Sequence, residues 1–251
     1  MHVPFFLPTS RGSLAAVAHL PEGEPRAEAA VLMLTGGRAG RAVLRSVAEG
    51  LATEGFVCLR FDYPGTGATP VTGSLAREEL VDLSLEVARW WRERTGAEHL
   101  AVVGRCLGAR LGVSIAAREE AVTRVAGIYL PMARAGIARR IRQGVRTLDA
   151  RGPRLASRLL QGPRVLDRTE ARGPVAGSLE TDLAAARCRF RFLYGAEDQA
   201  YDAFREVLSR APDALQQRVE VALFPGARLH GIRDVAHDPW ICSQISEALR
   251  T

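Results

Sequence analysis

Lysine is missing from this sequence, so all 34 of its basic residues are arginine. The formal net charge at pH 7 is +6. An arginine side chain presents a planar fork of donors that suits carboxylates and phosphates, whereas an ammonium group is a point charge. The places where arginine clusters are therefore informative about which anions the protein binds.

Cysteine is scarce, and its four positions form no pattern. Cys58, Cys106, Cys188 and Cys242 have neither the spacing of a disulfide framework nor that of metal ligands. We therefore expect reduced thiols, a reducing compartment, and neither a metal nor another cofactor.

Long apolar runs are also absent. No run approaches the roughly 18 residues that span a bilayer, and the first residues lack the basic segment and apolar stretch of a secretory signal. We expect a soluble, cytoplasmic protein without a membrane span. A chain of 251 residues with 47% hydrophobic content is long enough for one domain with a sizeable core, and no internal repeat is visible.

Short apolar segments typical of strands alternate with amphipathic segments typical of helices along most of the chain. This alternation predicts an α/β fold with a mostly parallel sheet covered by helices on both faces. The predicted strands are 3–7 and 13–20, which turn residues join into a hairpin, then 30–35, 56–61, 99–103, 125–130, 190–194 and 218–224. The predicted helices are a segment ending at 54, then 75–95, the residues after 106, 202–209 and 239–249.

The stretch 133–187 has no convincing strand, and Gly-Pro pairs break its helical patches. We interpret it as a helical cap inserted into a core made of residues 1–132 and 188–251. Its arginines far outnumber its acidic residues, Asp149, Asp167, Glu170, Glu180 and Asp182. The arginines include Arg134, Arg139, Arg140, Arg142, Arg146, Arg151, Arg154, Arg158, Arg164, Arg168 and Arg172.

This basic insertion has two interpretations. Such a charge run is usually a solvated face. Alternatively, it recruits an acidic acyl carrier protein, the phosphates of coenzyme A or another anionic substrate. Nucleic acid is not expected, because no binding module is recognisable and few aromatic residues lie among the arginines.

Cys106 lies between a predicted strand and a predicted helix, in a Gly-x-Cys-x-Gly motif bounded by Gly104 and Gly108. A nucleophile in a tight strand-to-helix turn needs flanking glycines, because side chains there would collide with the neighbouring backbone. Gly112 continues the four-residue spacing, as close packing of a helix on a sheet requires. A buried, inert thiol is the alternative reading.

Beyond this motif, the chain resembles an α/β hydrolase over nearly all of its length outside the insertion. Four segments match that family in order: Thr35-Gly36-Gly37 for the oxyanion loop, 60–67 for the Asp-x-x-Gly-x-Gly loop, the elbow, and 195–198 for the acid loop. His230 completes the family order of nucleophile, acid and histidine. The resemblance implies an α/β-hydrolase fold with an eight-stranded, mostly parallel sheet.

By this resemblance, Cys106 is the nucleophile, His230 the base and Asp198 the residue that orients the imidazole. A helix N-terminus and a neighbouring imidazole lead us to expect a lowered pKa for the Cys106 thiol. His237 competes with His230 as the base, and Glu197 and Asp202 compete with Asp198 as the acid.

The oxyanion hole is expected to contain the backbone N–H of Leu107 and that of either Gly37 or Arg38. Backbone donors need no particular side chain, so the sequence leaves the choice between Gly37 and Arg38 open. Asp62 is interpreted as structural, anchoring its loop through local hydrogen bonds.

Cysteine elbows are the minority in this family, and the chain is similar to exosortase-system-associated hydrolases, thioesterases and dienelactone hydrolases. We expect an acyl hydrolase or acyltransferase of thioesterase type that forms an acyl-Cys106 intermediate. The alternatives are an ester or enol-lactone hydrolase of dienelactone type and a catalytically inactive binding protein on the same fold.

Overall fold

The computed structural model describes residues 1–25, 30–36, 40–73, 75–132, 179–224, 229 and 239–250. Its eight strands form one sheet in the order β1-β2-β4-β3-β5-β6-β7-β8. The strands are β1 (His2–Thr9), β2 (Gly12–His19), β3 (Ala30–Leu34), β4 (Val57–Phe61), β5 (Leu100–Arg105), β6 (Val122–Ile128), β7 (Arg189–Gly195) and β8 (Val219–Phe224).

The sheet is antiparallel at one side and parallel elsewhere. β1 and β2 form the predicted N-terminal hairpin, and β2 also pairs antiparallel with β4. From β4 across to β8 every neighbouring pair is parallel. All five residues of β3 are buried, as expected for a central strand covered on both faces. The predicted α/β-hydrolase fold with a mostly parallel, eight-stranded sheet is confirmed.

A 3-10 turn (Arg41–Leu44) and seven helices connect the described strands. The helices are α1 (Arg45–Thr53), α2 (Arg77–Thr95), α3 (Leu107–Ala116), α4 (Leu179–Ala185), α5 (Gln199–Ser209), α6 (Asp213–Gln216) and α7 (Pro239–Arg250). α2 ends at Gly96, the predicted stop, which has a left-handed φ of 67°. α4 and α6 were not predicted, because both are too short for a clear helical period.

Alternate side chains of the sheet face two different groups of helices. On one face Val31, Met33 and Val103 join a buried cluster with residues of α1 and α7. On the other face α3 lies so close that a Cβ at Gly112 would be 3.1 Å from a methyl group of Val102. Helices therefore cover both faces, as the alternation of elements predicts.

The chain divides into two compact units, Met1–Pro131 with Ala176–Thr251, and Met132–Val175. The predicted insertion, 133–187, is longer than the second unit, because α4 packs on α3 in the first. Asp182 of α4 pairs with the buried guanidinium of Arg110 at 2.7 Å and accepts a hydrogen bond from Ser114 Oγ at 2.9 Å. The eleven arginines of the predicted cap from Arg134 to Arg172 lie outside the described residues, whereas Arg187 at its end is described.

The sequence also predicts reduced thiols and no membrane-spanning helix. None of the four cysteines, all of which are described, forms a disulfide. Within the described ranges, no helix combines the length and apolar character needed to cross a bilayer.

Candidate active site

Cys106 occupies the turn between β5 and α3. Its backbone has φ 52° and ψ −118°, a conformation that residues with a side chain rarely adopt. The backbone N–H of Cys106 donates to the carbonyl of Ile128 at 2.9 Å, which holds the turn against the end of β6. Such a backbone conformation costs free energy and persists only where the surrounding structure holds it in place. Strained residues of this kind are concentrated at functional sites.

Gly104 and Gly108 allow this turn to form. A Cβ at Gly104 would lie 2.4 Å from the backbone carbonyl of Gly108, and a Cβ at Gly108 would lie 2.0 Å from the carbonyl oxygen of Leu34. Either would force the backbone apart. The glycine spacing seen in the sequence therefore reflects the close approach of α3 to β3 and β5.

The thiol of Cys106 is half-buried at the N-terminus of α3. The backbone N–H of Leu107 donates to the thiol and lowers its pKa, and the charge of Arg105 acts in the same direction. Burial has the larger effect, so the pKa of Cys106 is raised above its ordinary value. The expected lowering by the helix N-terminus is thus present but outweighed. At neutral pH this thiol depends on a base more than the sequence suggested.

Tyr129 is a feature of the site that the sequence did not reveal. It directly follows β6 with φ 56°, and its N–H donates to the carbonyl of Leu193 at 2.9 Å. Cys106 and Tyr129 are the two non-glycine residues with positive φ in the described part of the chain, and they end adjacent strands. The tyrosine ring lies 6.1 Å from the ring of Tyr194. Only the strand order could have identified Tyr129 as a neighbour of the elbow.

Asp198 caps the start of α5 at the end of β7 and is 4% exposed. Its Oδ2 accepts the backbone N–H of Gly195 at 2.7 Å and that of Leu229 at 3.0 Å. The two rival acids, Glu197 and Asp202, are exposed. Burial and backbone hydrogen bonds therefore favour Asp198 as the acid that could orient an imidazole at this edge.

The remaining predicted site residues, Gly37, Arg38, His230 and the rival His237, lie outside the described residues. The residues just before two of them are described. Leu229, which precedes His230, is buried and bound to Asp198. Gly36, which precedes Gly37, has φ 73°, and a Cβ there would lie 2.6 Å from Cβ of Leu107.

Asp62 follows β4 and anchors its loop, as interpreted from the sequence. Its Oδ2 accepts the N–H of Ala68 at 2.9 Å, and its carbonyl oxygen accepts the hydroxyl of Thr69 at 2.7 Å. Its carboxylate also reaches a second loop, because Oδ1 accepts the backbone N–H of Arg41 at 2.6 Å and Oδ2 pairs with the Arg41 guanidinium.

One group of possible metal ligands occurs within the described ranges, and it is remote from Cys106 in sequence: His2, His19 and Glu49. The guanidinium Nε of Arg60 donates to Nε2 of His19 at 2.8 Å, so the neutral His19 ring carries its proton on Nδ1. That Nδ1 faces Nδ1 of His2 at 2.9 Å and donates to it. A nitrogen that binds a metal must offer a lone pair, and at Nδ1 of His19 the proton occupies that lone pair. The hydrogen bonds of His19 therefore compete with metal binding by this group. Burial and Arg60 lower the pKa of His19 to about 4, which keeps the ring neutral.

Several solved structures share this fold at low sequence identity. The esterase Pf2001 of Pyrococcus furiosus is 15% identical and matches with a TM-score of 0.72, covering 100% of this chain and 90% of that one. The thioesterase domain of the curacin biosynthetic pathway is 16% identical, with a TM-score of 0.61 and 100% coverage of both chains. An α/β serine hydrolase without lid from Xanthomonas campestris is 16% identical, with a TM-score of 0.60 over 99% of this chain and 92% of that one.

A search of curated protein sequences finds no match. The sequence pattern of a family described as alpha/beta hydrolase fold does match, over residues 29–161. That range is more than half of the chain and runs from β3 through the elbow at Cys106. Because this match and the observed fold agree, the chain belongs to the alpha/beta hydrolase family.

Proposed function

We propose that this chain is an acyl hydrolase or acyltransferase of thioesterase type that carries its acyl group on Cys106. The observation that carries the proposal is the strained, half-buried Cys106 in the turn between β5 and α3, where the N–H of Leu107 donates to its thiol. A buried structural cysteine needs no such backbone. Cys58, for comparison, lies within β4 in ordinary strand conformation and is fully buried.

Asp198 and His230 are proposed to serve as acid and base. β7 lies two strands from β5, so roughly 10 Å separates the two strand ends, a gap that one imidazole and its hydrogen bonds can bridge. Leu229 is bound to Asp198, and His230 is the next residue, with its Cα about 3.8 Å further along the chain. This favours His230 over His237.

The proposed reaction begins when His230 takes the proton of the Cys106 thiol. The thiolate adds to the acyl carbonyl, and the resulting oxyanion accepts hydrogen bonds from the N–H of Leu107 and that of Gly37 or Arg38. The C–S or C–O bond to the leaving group then breaks, and the imidazolium of His230 protonates that group.

The acyl group leaves Cys106 by the reverse sequence. His230 removes a proton from water, an alcohol or an amine as it attacks the thioester, and the Cys106 sulfur departs and regains its proton. A thioester is reactive towards each of these acceptors. Hydrolysis and acyl transfer are therefore both included in the proposal.

The substrate class follows from the chemistry of the insertion. An arginine-rich segment attracts an acidic acyl carrier protein, the phosphates of coenzyme A or another anionic acyl donor. The similarity of fold to the curacin thioesterase domain supports a thioester donor. Four cysteines that form no disulfide also favour the cytoplasmic location expected from the sequence.

The test is acylation of the intact protein by a panel of acyl-coenzyme A, acyl-carrier and simple ester donors, read by mass spectrometry. We expect one acyl adduct, which Cys106→Ala abolishes together with turnover, a loss of at least about 1000-fold. Cys242→Ala is the matched control, because Cys242 is also half-buried and in no disulfide. This variant should acylate at Cys106 as the wild type does. Full turnover by Cys106→Ala would exclude the proposed nucleophile.

The donor panel separates the alternatives. Acylation by esters or enol lactones alone would favour the dienelactone type. No adduct with any donor, together with no turnover, would favour the inactive binding protein. A Cys106→Ser variant that hydrolyses esters would show that the elbow supports an oxygen nucleophile as well.

A further inference from the structure

Tyr129 directly follows β6, the strand that pairs with the elbow strand β5. In that pairing Arg105 lies opposite Ile128, so the next residues along the two strands, Cys106 and Tyr129, are neighbours at the edge of the sheet. The N–H of Cys106 donates to the carbonyl oxygen of Ile128 at 2.9 Å, and that carbonyl belongs to the peptide bond before Tyr129. Adjacent strands are about 4.8 Å apart, so the backbone of Tyr129 lies roughly one strand spacing from that of the nucleophile.

The backbone of Tyr129 is held in a left-handed conformation. Its φ is 56°, and its N–H donates to the carbonyl oxygen of Leu193 in β7 at 2.9 Å. The peptide group before Tyr129 is therefore hydrogen-bonded to a neighbour on each side. Glycine adopts this conformation without the steric cost that a tyrosine incurs. The backbone alone would favour glycine at this position, so the ring must contribute something that offsets this cost.

The ring of Tyr129 begins a row of aromatic rings that leads from the elbow towards α5. It lies 6.1 Å from the ring of Tyr194, which in turn lies 5.7 Å from that of Tyr201 and 5.8 Å from that of Phe204. Tyr194 and Phe204 are fully buried, whereas Tyr129 and Tyr201 are half-buried. Tyr129 is thus the member of the row that neighbours Cys106, and part of its surface stays accessible there.

Tyr194, the ring on which Tyr129 packs, is fixed in place. Its hydroxyl donates to the carbonyl oxygen of Leu130 at 3.1 Å, and Leu130 is fully buried. Its ring packs against Phe204, whose own ring lies 5.1 Å from that of Phe192. A rigid partner restricts the ring of Tyr129 before any ligand arrives. Less conformational entropy is then lost when an apolar group packs against this ring.

We propose that the ring of Tyr129 contacts the acyl group carried on Cys106 and selects acyl groups that are apolar beyond the carbonyl carbon. The inference rests on the proposed function, because it concerns the acyl group that the thiol carries. The proposed donors, coenzyme A and a carrier protein, have polar leaving groups, so the acyl group is the apolar part that suits an aromatic surface. The acyl group also stays bonded to Cys106 after the leaving group has departed. Tyr129 determines specificity and transfers no proton.

The test compares acetyl and octanoyl thioesters that share one small leaving group, N-acetylcysteamine. The wild type should prefer the octanoyl thioester. We expect Tyr129→Ala to lower the octanoyl-to-acetyl ratio of kcat/KM about 10-fold, because an apolar contact is lost for the longer chain alone. Tyr129→Phe keeps the ring and should keep most of the ratio. A purely structural effect changes both rates by the same factor and leaves the ratio where it was.

Two controls separate specificity from packing and from the leaving group. Phe204→Leu alters a fully buried ring of the same row, so it should lower the melting temperature and leave the octanoyl-to-acetyl ratio near that of the wild type. Acetyl-coenzyme A and the acetyl thioester of N-acetylcysteamine differ only in the leaving group. Tyr129→Ala should change the ratio of their rates by less than about twofold.

The outcomes are separable. No octanoyl preference in the wild type, or an unaltered ratio in a folded Tyr129→Ala protein, would overturn the inference. Equal losses in Tyr129→Phe and Tyr129→Ala would assign the effect to the hydroxyl, and a changed leaving-group ratio would place the leaving group against the ring; either result contradicts the acyl contact. Failure of the wild type to acylate at Cys106 with any donor would instead overturn the proposed function. Circular dichroism verifies that each variant is folded.

Discussion

Two buried carboxylates lie at the same edge of the sheet, each two strands away from the elbow. Asp62 follows β4 on one side of β5, and Asp198 follows β7 on the other. Asp62 is paired with the Arg41 guanidinium, whereas no arginine in the described ranges pairs with Asp198, whose Oδ2 accepts two backbone N–H groups. A carboxylate whose charge is neutralised by arginine is suited to anchoring a loop. A carboxylate that accepts only backbone N–H groups is suited to pairing with an imidazole.

Loss of the proposed base, His230, should show the largest effect. His230→Ala is expected to lower acylation at pH 7 about 1000-fold, because burial raises the pKa of Cys106 and leaves little thiolate without a base. In that variant, alkylation by iodoacetamide should increase with pH through a midpoint above the ordinary thiol value of about 8.5. His237→Ala should stay close to the wild type. If His237→Ala lost more acylation activity than His230→Ala, His237 would be the base instead.

The two carboxylates should differ in their effect on the reactivity of the Cys106 thiol, and Asp198→Asn tests the proposed acid. We expect it to lower acylation roughly 100-fold and also to slow alkylation at pH 7, because a misoriented imidazole withdraws the thiol proton less readily. Asp62→Ala should leave alkylation unchanged. Glu197→Gln and Asp202→Asn are matched exposed controls. Equal alkylation rates for the Asp198 and Asp62 variants would remove the functional difference between them.

A smaller effect is expected on the free energy of unfolding, through His19, which binds Arg60 near Asp62. The His19 ring accepts a hydrogen bond from Arg60 only when it is neutral. Its pKa is affected most by burial, and then by the nearby charges of Arg60 in β4, His2 in β1, and Glu49 and Arg45 in α1. Its pKa of about 4 in the folded state lies below the ordinary 6.5, so the unfolded chain binds more protons between these values. Stability should therefore fall by roughly 2 kcal/mol between pH 7 and pH 5.

Urea unfolding at the two pH values measures this loss. His19→Gln retains an acceptor for Arg60 without titrating, so it should remove most of the pH dependence. His99→Gln, which changes an exposed histidine, should retain it. An unaltered pH dependence in His19→Gln would assign the effect to other groups.

Much of the fold could be predicted because each long element has its own local pattern. The hairpin, the buried central strands and the helix ending at Gly96 all follow from apolar period, turn residues and a left-handed stop. The short helices α4 and α6 could not, since four to seven residues are too few to define a period. The burial of Asp182 against Arg110 makes α4 part of the core, and no local pattern announces that contact.

In the candidate site, too, some features could be predicted from the sequence and others depend on the folded chain. Gly104 and Gly108 mark the elbow because glycine is the residue that permits such close approach. Which of three neighbouring acids is buried depends on how β7 meets α5, so Asp198 could be distinguished from Glu197 and Asp202 only in the folded chain. The raised pKa of Cys106 likewise depends on how much of the site is shielded from water.

By itself, the sequence determined the fold class and the elbow around Cys106, because glycine spacing and apolar period are local properties. Its resemblance to α/β hydrolases supplied the order of candidate nucleophile, acid and histidine. Tertiary structure alone decided that Asp62 reaches Arg41, that Tyr129 follows the strand beside the elbow, and that burial outweighs the helix N-terminus at the thiol. These properties depend on residues distant in sequence meeting at one edge of the sheet, and pairing between strands is not encoded in any single segment.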